Sequence, residues 1–450
     1  MQFRTLSSIS TLLLGMGILL AGTGLIGTLL GLRAGIEGFS DMTMGVVMSA
    51  FFLGYIVGAF TCPPLIRAVG HIRAFAAMAA LSAVVSLLYG MLVDPIVWWA
   101  LRVINGICMV GLYIVIESWL NERVDEGRGQ VFAVYMMISL LALAGGQYLL
   151  LVYGPDDLGS FALVAILFCL GLIPIAMTPT SQPQQIDRPH LPIRKIYDAA
   201  PVGVVGALVS GAVTSAFWGL SAIYGRDAGL DAAGVATLVS LVIVGGAALQ
   251  WPIGRYSDHR DRRIVVMVVA LLGAASALGL YALAEFSRLA LYASALVYGG
   301  FSFSLYGLCV AQTHDRLDRS DVLQATQGLL LLNGIGATVG PLLAGAVMQY
   351  AGTRSFPLLL ASLLVLLALY VAWRIRIRPA VAEPNMSDFV IVTRTSPLAL
   401  EMDPRIPSSN ASSSEPDNAD PAPVEDPQES ALKPESKKRP YLFSNEYSEP

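Results

Sequence analysis

The stretch Ser7–Leu32, SSISTLLLGMGILLAGTGLIGTLLGL, carries no charged side chain over its whole length. As a helix rising about 1.5 Å per residue, it is long enough to cross the ~30 Å hydrocarbon layer of a bilayer. Inside that layer every backbone N–H and C=O must be satisfied within the protein, so only helices and closed barrels span it. Apolar runs of this length recur along the chain, about twice as long as a membrane strand needs. The chain therefore reads as an all-α polytopic membrane protein. Composition agrees: 55% of its 450 residues are hydrophobic and only 13% charged, against about a quarter charged in soluble domains. The first run is too long for a signal-peptide core and no A-x-A site closes it, so it is expected to remain as the first span.

Twelve spans are expected, near 8–31, 43–66, 74–93, 96–120, 131–154, 160–178, 201–225, 231–252, 264–285, 289–312, 322–350 and 356–375. The division that follows is a six-helix bundle over 1–178, a central loop over 179–200, a second bundle over 201–378 and a tail over 379–450. Lys and Arg set the orientation. With the N-terminus inside, 17 of them fall on cytoplasmic segments up to Arg378 and four on outer loops, leaving Arg102 within a span. Both termini are then cytoplasmic, and the protein belongs in a bacterial inner membrane. The tail holds 13 acidic and 6 basic residues. Its 406–440 part, rich in Pro, Ser and acids, is expected to be disordered. Asp388–Arg405 is more apolar, a segment that could dock on the cytoplasmic surface or bind a partner.

The halves repeat. ERVD (Glu122–Asp125) follows the fourth span and DRLD (Asp315–Asp318) the tenth, 193 positions apart. PPLIRAVGHIR (Pro63–Arg73) and GRYSDHRDRRI (Gly254–Ile264) end the second and eighth spans at a similar offset. A six-helix unit used twice is a plan of secondary transporters, which bind substrate near the midplane between the repeats.

These features resemble the major facilitator superfamily, whose signature is G-x-L-A-D-R-x-G-R-K/R between the second and third helices, often echoed between the eighth and ninth. Gly254, Asp258, Arg262 and Arg263 fall on the signature positions of the second copy, with Asp261 in place of its second glycine. In the first copy Gly70 keeps the turn, but Pro63 replaces the first glycine and Arg67 the Asp. A second family pattern, R-x-x-x-G, matches Arg102 and Gly106. VIESWLNERVDEGRGQVFAVYMM and ALQWPIGRYSD resemble the YcaD-like branch. The resemblance covers 1–378 and implies two pseudo-symmetric bundles and solute transport. It also implies that Asp258 closes an inner gate by facing the start of the fifth span, through Arg128 or a backbone amide there. With Arg67 in place of an acid, the matching contact of the first half would pair Arg67 with Asp321 or Asp318; plain anchoring of Arg67 at the headgroups is the alternative. Arg73 belongs to the same basic turn.

Arg102 and Glu117 are charges in one span, each costing roughly 2.5 kcal/mol or more. They stand ~22 Å apart along the axis and ~60° around it. Arg102, ~9 Å from the outer end, either snorkels beside Trp98 and Trp99 or faces a cavity, where Met109 and Tyr113 share its stripe. The family pattern favours the cavity. Glu117 is expected in a gate salt bridge with Arg67, Arg73 or Arg123, with proton carrying as the alternative. Asp41 reads as the N-cap of the second span, and Glu285 ends the ninth. Cavity candidates are Arg102, Asn105, Tyr113, Gln147, Trp218, Tyr306 and Asn333, and Phe217, Tyr298 and Gln327 are polar or aromatic residues of the same helices. One interior cation and no midplane acid favour a neutral or anionic solute over a cationic one. Gly336, Gly340 and Pro341 either let the eleventh span flex or pack it closely.

Cys62, Cys108, Cys169 and Cys309 form no C-x-x-C pair, and the four histidines are scattered. No metal site, cofactor, nucleophile–base set or Walker motif is expected, and no nucleic-acid partner. The sequence thus reads as a monomeric, non-enzymatic secondary transporter of a small organic solute. It works by alternating access, coupled to protons as the family implies, with direction open. The alternative is a transport-inactive sensor or scaffold acting through the tail.

Overall fold

The computed structural model describes residues 2–123, 128–177, 193–317, 321–377 and 389. The expected disorder of 406–440 falls outside these residues. Among them there are thirteen helices and no strand. They are α1 (Gln2–Ile36), α2 (Asp41–Val69), α3 (His71–Met91), α4 (Pro95–Arg123), α5 (Arg128–Gln147), α6 (Leu158–Ala176), α7 (Ile193–Ala199), α8 (Pro201–Asp227), α9 (Ala232–Ser257), α10 (Arg262–Leu283), α11 (Arg288–His314), α12 (Val322–Ala351) and α13 (Phe356–Ile377). All but the seven-residue α7 are long and apolar enough to cross a membrane, which gives the twelve expected spans. Most helix limits fall within a few residues of those expected; α5 stops at Gln147, short of the expected 154, and a 3-10 turn, Tyr148–Leu151, follows it.

The helix caps are local chemistry. Asp94 Oδ1 accepts from Ile96 and Val97 N–H at 2.9 and 3.0 Å and opens α4. Asp231 accepts from Gly234 N–H at 3.0 Å. Asp41 is displaced from its expected capping role: Ser40, whose β-region backbone suits the position, accepts from Thr43 N–H at 3.1 Å. Asp41 instead accepts from Thr353 Oγ1 at 3.1 Å, tying α2 to the turn before α13. Gly70 closes α2 at φ +88°, a conformation costly for residues with a Cβ.

Without a hydrophobic driving force in lipid, helices associate through close backbone packing at small residues. The eleventh-span glycines do this. A Cβ on Gly336 would collide with Leu208 O, and one on Gly340 with Ala212 O, both on α8. Gly45 of α2 meets Pro341 and Gly345 of α12 in the same way. Gly336→Ala is therefore expected to destabilise the bundle by about 1–3 kcal/mol, as overpacking does. Gly145→Ala, with open space around its Cβ, is the control; thermal unfolding of the two variants in detergent checks the difference.

The first six spans meet the last six at the end opposite the basic turns. There Ser240 Oγ donates to Ala144 O at 2.8 Å, Tyr148 to Thr237 Oγ1 at 3.3 Å, and Thr353 to Asp41.

Candidate functional site

A cavity of about 460 Å³ lies between the two sets of six spans. It extends from Arg102 and Asn105 to Gln324 and Ile193 near the basic end. Its walls are mainly aromatic and aliphatic: Phe51, Phe52, Tyr55, Tyr113, Trp218 and Phe303. Amides project among them, from Asn105, Gln250, Gln324, Gln327 and Asn333. A few polar groups set in an apolar wall is the usual make-up of a small-molecule site.

Helical spacing builds the α4 wall. Arg102, Asn105, Met109 and Tyr113 recur at three- and four-residue intervals and all line the cavity. Arg102 is only 7% exposed, so it does not snorkel. Its guanidinium carbon stands 4.9 Å from the centre of the Phe51 ring, and Nη2 donates to Met48 Sδ at 3.0 Å. Both are soft partners, a π face and a thioether. Nε is buried with no hydrogen-bond partner among the described residues, and none of the described ion pairs involves this side chain. Among the described residues the site thus presents one desolvated cation and no lining carboxylate.

Among the remaining candidates, Trp218 and Asn333 line the cavity, with Asn333 Nδ2 also donating to Ala207 O at 2.9 Å. Gln327 joins them. Gln147 does not: it is fully buried between α1 and α5, where it accepts from Thr28 and donates to Gly24 O at 2.9 Å. An amide that crosslinks two spans looks the same in sequence as one that faces a ligand. Tyr306 is likewise fully buried, packed with Ile196, Val204 and Leu329 away from the lining. The rings of Phe217 and Tyr298 pack against each other at a tilt of 40°, with centroids 5.6 Å apart.

Glu117 has no solvent exposure, and Tyr135 Oη of α5 donates to its Oε1 at 2.6 Å. Tyr135 is thus one partner of this carboxylate, while the side chain of Arg123, one of the expected arginines, lies outside the described residues. Tyr55 and Tyr113 both line the cavity. The carboxyl is one helical turn behind the wall, at i+4 from Tyr113.

At the basic end the second signature copy is a charge network. Asp258 closes α9 and accepts from Arg262 Nη2 at 3.0 Å, while Arg262 Nε reaches Asp315 Oδ2 at 2.9 Å. Arg262 is 1% exposed. Asp261, standing for the signature glycine, caps α10 by accepting from Arg263 N–H at 3.0 Å and pairs with Arg263 Nη2 at 2.7 Å. Partial burial alone would push its carboxyl up. Hydrogen bonds from Arg263, with the charges of Arg263 and Arg316, hold it below the ordinary carboxylate range. The expected Arg67–Asp321 pair is replaced: Asp321 binds Lys195 Nζ at 2.7 Å, tying the central-loop helix α7 to the start of α12. Arg67 and Arg73 are exposed on either side of Gly70. The Arg128 side chain and Asp318 lie outside the described residues. Asp258 does accept a backbone amide, but from Phe389 of the tail, at 2.8 Å.

Phe51, Met48 and Gln250 were not among the expected site residues. Gln250 was findable, as the lone amide in an otherwise apolar part of α9. The partners of Arg102 were not, because Phe and Met in a span are ordinarily packing.

The family model of the Major Facilitator Superfamily matches residues 12–198 and 203–403. The chain belongs to that superfamily. An uncharacterized MFS-type transporter of Yersinia enterocolitica is 27% identical over 344 residues, 75% of this chain and 88% of the relative. The uncharacterized MFS-type transporter YcaD of Escherichia fergusonii is 26% identical over 357 residues, 78% of this chain and 91% of its own. These place the chain in the YcaD-like branch of the superfamily. The crystal structure of the nucleoside transporter NupG superposes with a TM-score of 0.69 at 13% identity, covering 81% of this chain and 98% of NupG, a likeness of fold. This superfamily member is an integral membrane transporter, not an enzyme. The alternative of a transport-inactive scaffold finds no support in a family of transporters.

Proposed function

We propose that this transporter moves a small neutral or anionic organic solute by alternating access, as a proton-coupled secondary transporter. It would act as a monomer in a bacterial inner membrane, with both termini cytoplasmic and two bundles, 1–178 and 201–378, rocking about the cavity. The observation that carries the reading is the cavity itself: about 460 Å³, aromatic-walled and amide-studded, with Arg102 as its buried cation. A desolvated guanidinium is expensive to keep. It becomes favourable when a solute brings an acceptor or negative charge to its open donors. A cationic solute would meet a like charge in Arg102, with no carboxylate among the described lining residues to offset it.

The described arrangement supports one of the two states that alternating access requires. The bundles touch at the end opposite the basic turns, and the lining reaches Gln324 and Ile193 at the other. By the distribution of Arg and Lys, the reachable end is cytoplasmic. Glu117 supplies a place for the coupled proton, buried beside the wall and held by Tyr135.

Reconstitution into proteoliposomes tests the proposal. Uptake of a panel of neutral and anionic metabolites, nucleosides included, is measured with and without an imposed pH gradient. Accumulation of at least one neutral or anionic solute that collapses with the gradient is expected. Flux confined to organic cations, or no gradient-sensitive flux of any compound, overturns it.

A further inference from the structure

We propose that the chain's own C-terminal segment is a strap: Phe389 docks between α9 and α11 at the basic end and holds that end open. Phe389 stands twelve positions beyond the end of α13, and two independent contacts hold it. Its ring lies against two glycines. A Cβ on Gly254 of α9 would collide with the ring, and a Cβ on Gly307 of α11 would stand 3.0 Å from Cζ and 3.1 Å from Cε2. Its backbone N–H donates to Asp258 Oδ1 at 2.8 Å.

The slot fits an aromatic side chain because both facing positions lack side chains. Any other residue at Gly254 would fill it. Asp258 is already joined to Arg262, and Arg262 to Asp315. One docked residue therefore ties the ends of α9, α10 and α11 together through the tail. The slot also borders the cavity: Gln250, one turn from Gly254 on α9, lines the wall and puts Nε2 3.9 Å from the Gly307 Cβ position.

That place decides the effect. For the two bundles to close at the basic end, the α9–α11 surface beside the cavity has to be presented to the first bundle. With the strap seated, the ring occupies that surface and the amide occupies an acceptor of Asp258. Because the strap is covalently attached, its effective concentration is set by a short linker, in the millimolar range. A contact of one ring and one hydrogen bond then suffices to shift a two-state equilibrium without a permanent lock. Of the transport reading the strap borrows only the motion of the bundles, and its test needs no solute.

The test uses the full chain in nanodiscs. Hydrogen exchange of a tail peptide spanning Phe389 is compared between the wild type and the Gly254→Ala and Phe389→Ala variants. Seating should slow exchange of the residue-389 amide roughly tenfold relative to both variants. Equal exchange in all three overturns the docking. Spin labels replacing the exposed Arg73 and Arg260, one on each side of the basic end, then read its opening. The short-distance population is expected to rise roughly twofold or more in both variants. Lost protection with unchanged distances overturns strap control. Phe389→Ala alters no membrane span, so a folding defect of Gly254→Ala leaves both readouts decidable. A chain that transports nothing but shows both changes would retain the strap and lose only the transport reading.

Discussion

Arg102→Met is expected to yield a folded protein whose KM for its solute rises about 10- to 100-fold, with a smaller change in kcat. The methionine replaces a guanidinium that already rests on Met48 Sδ and the Phe51 ring, so apolar packing is kept while the charge is removed. A hydrogen bond to a charged group contributes about 1.5–3 kcal/mol net, and each 1.4 kcal/mol is a factor of ten in affinity. Losing it affects binding in both ground and transition states, which is why the effect falls on KM. Arg102→Lys should recover part of the loss, since it restores the charge without the planar fork. Thermal unfolding of the Met variant should be unchanged or raised, because a buried cation without a partner on Nε costs stability when no solute is bound. Concentration-dependent uptake in proteoliposomes measures the split. An unchanged KM in Arg102→Met removes the guanidinium from solute recognition.

The fold was legible in the sequence because a bilayer admits so few solutions. Length and hydropathy of each run set the spans, and the capping acids Asp94 and Asp231 mark the helix starts that the structure shows. The α4 wall was also legible, since Arg102, Asn105, Met109 and Tyr113 obey one helical period. What escaped were choices between partners of similar chemistry. Gln147 could face a ligand or crosslink α1 to α5, and periodicity within one span does not say which neighbour lies opposite. Asp321 had basic candidates at several points near it in the fold, and Lys195, on a helix of only seven residues, took it. Asp41 and Ser40 compete for one cap, and a single step in backbone angle decides between them. Phe389 lies far along the chain from the glycines it covers, so no local pattern links them.

Glu117→Gln is expected to abolish accumulation driven by a pH gradient while sparing exchange of labelled for unlabelled solute. Glutamine keeps the shape and the acceptor that Tyr135 Oη reaches at 2.6 Å, but it cannot take up or release a proton. Glu117 has no exposure to solvent, and a change of charge there is strongly coupled to any rearrangement that brings water or a counter-charge to it. Protonation can then bias one arrangement of the bundles over another, which coupling requires. Tyr113 precedes Glu117 by one turn and lines the cavity. In the proposed mechanism, solute and proton would therefore act on neighbouring turns of α4. Exchange carries no net proton movement, so it needs only the cavity and the motion. Uptake by Glu117→Gln should also lose its response to the imposed pH gradient, whereas Tyr135→Phe, which leaves the carboxyl in place, should keep coupling. Gradient-driven accumulation persisting in Glu117→Gln would take the proton away from this residue.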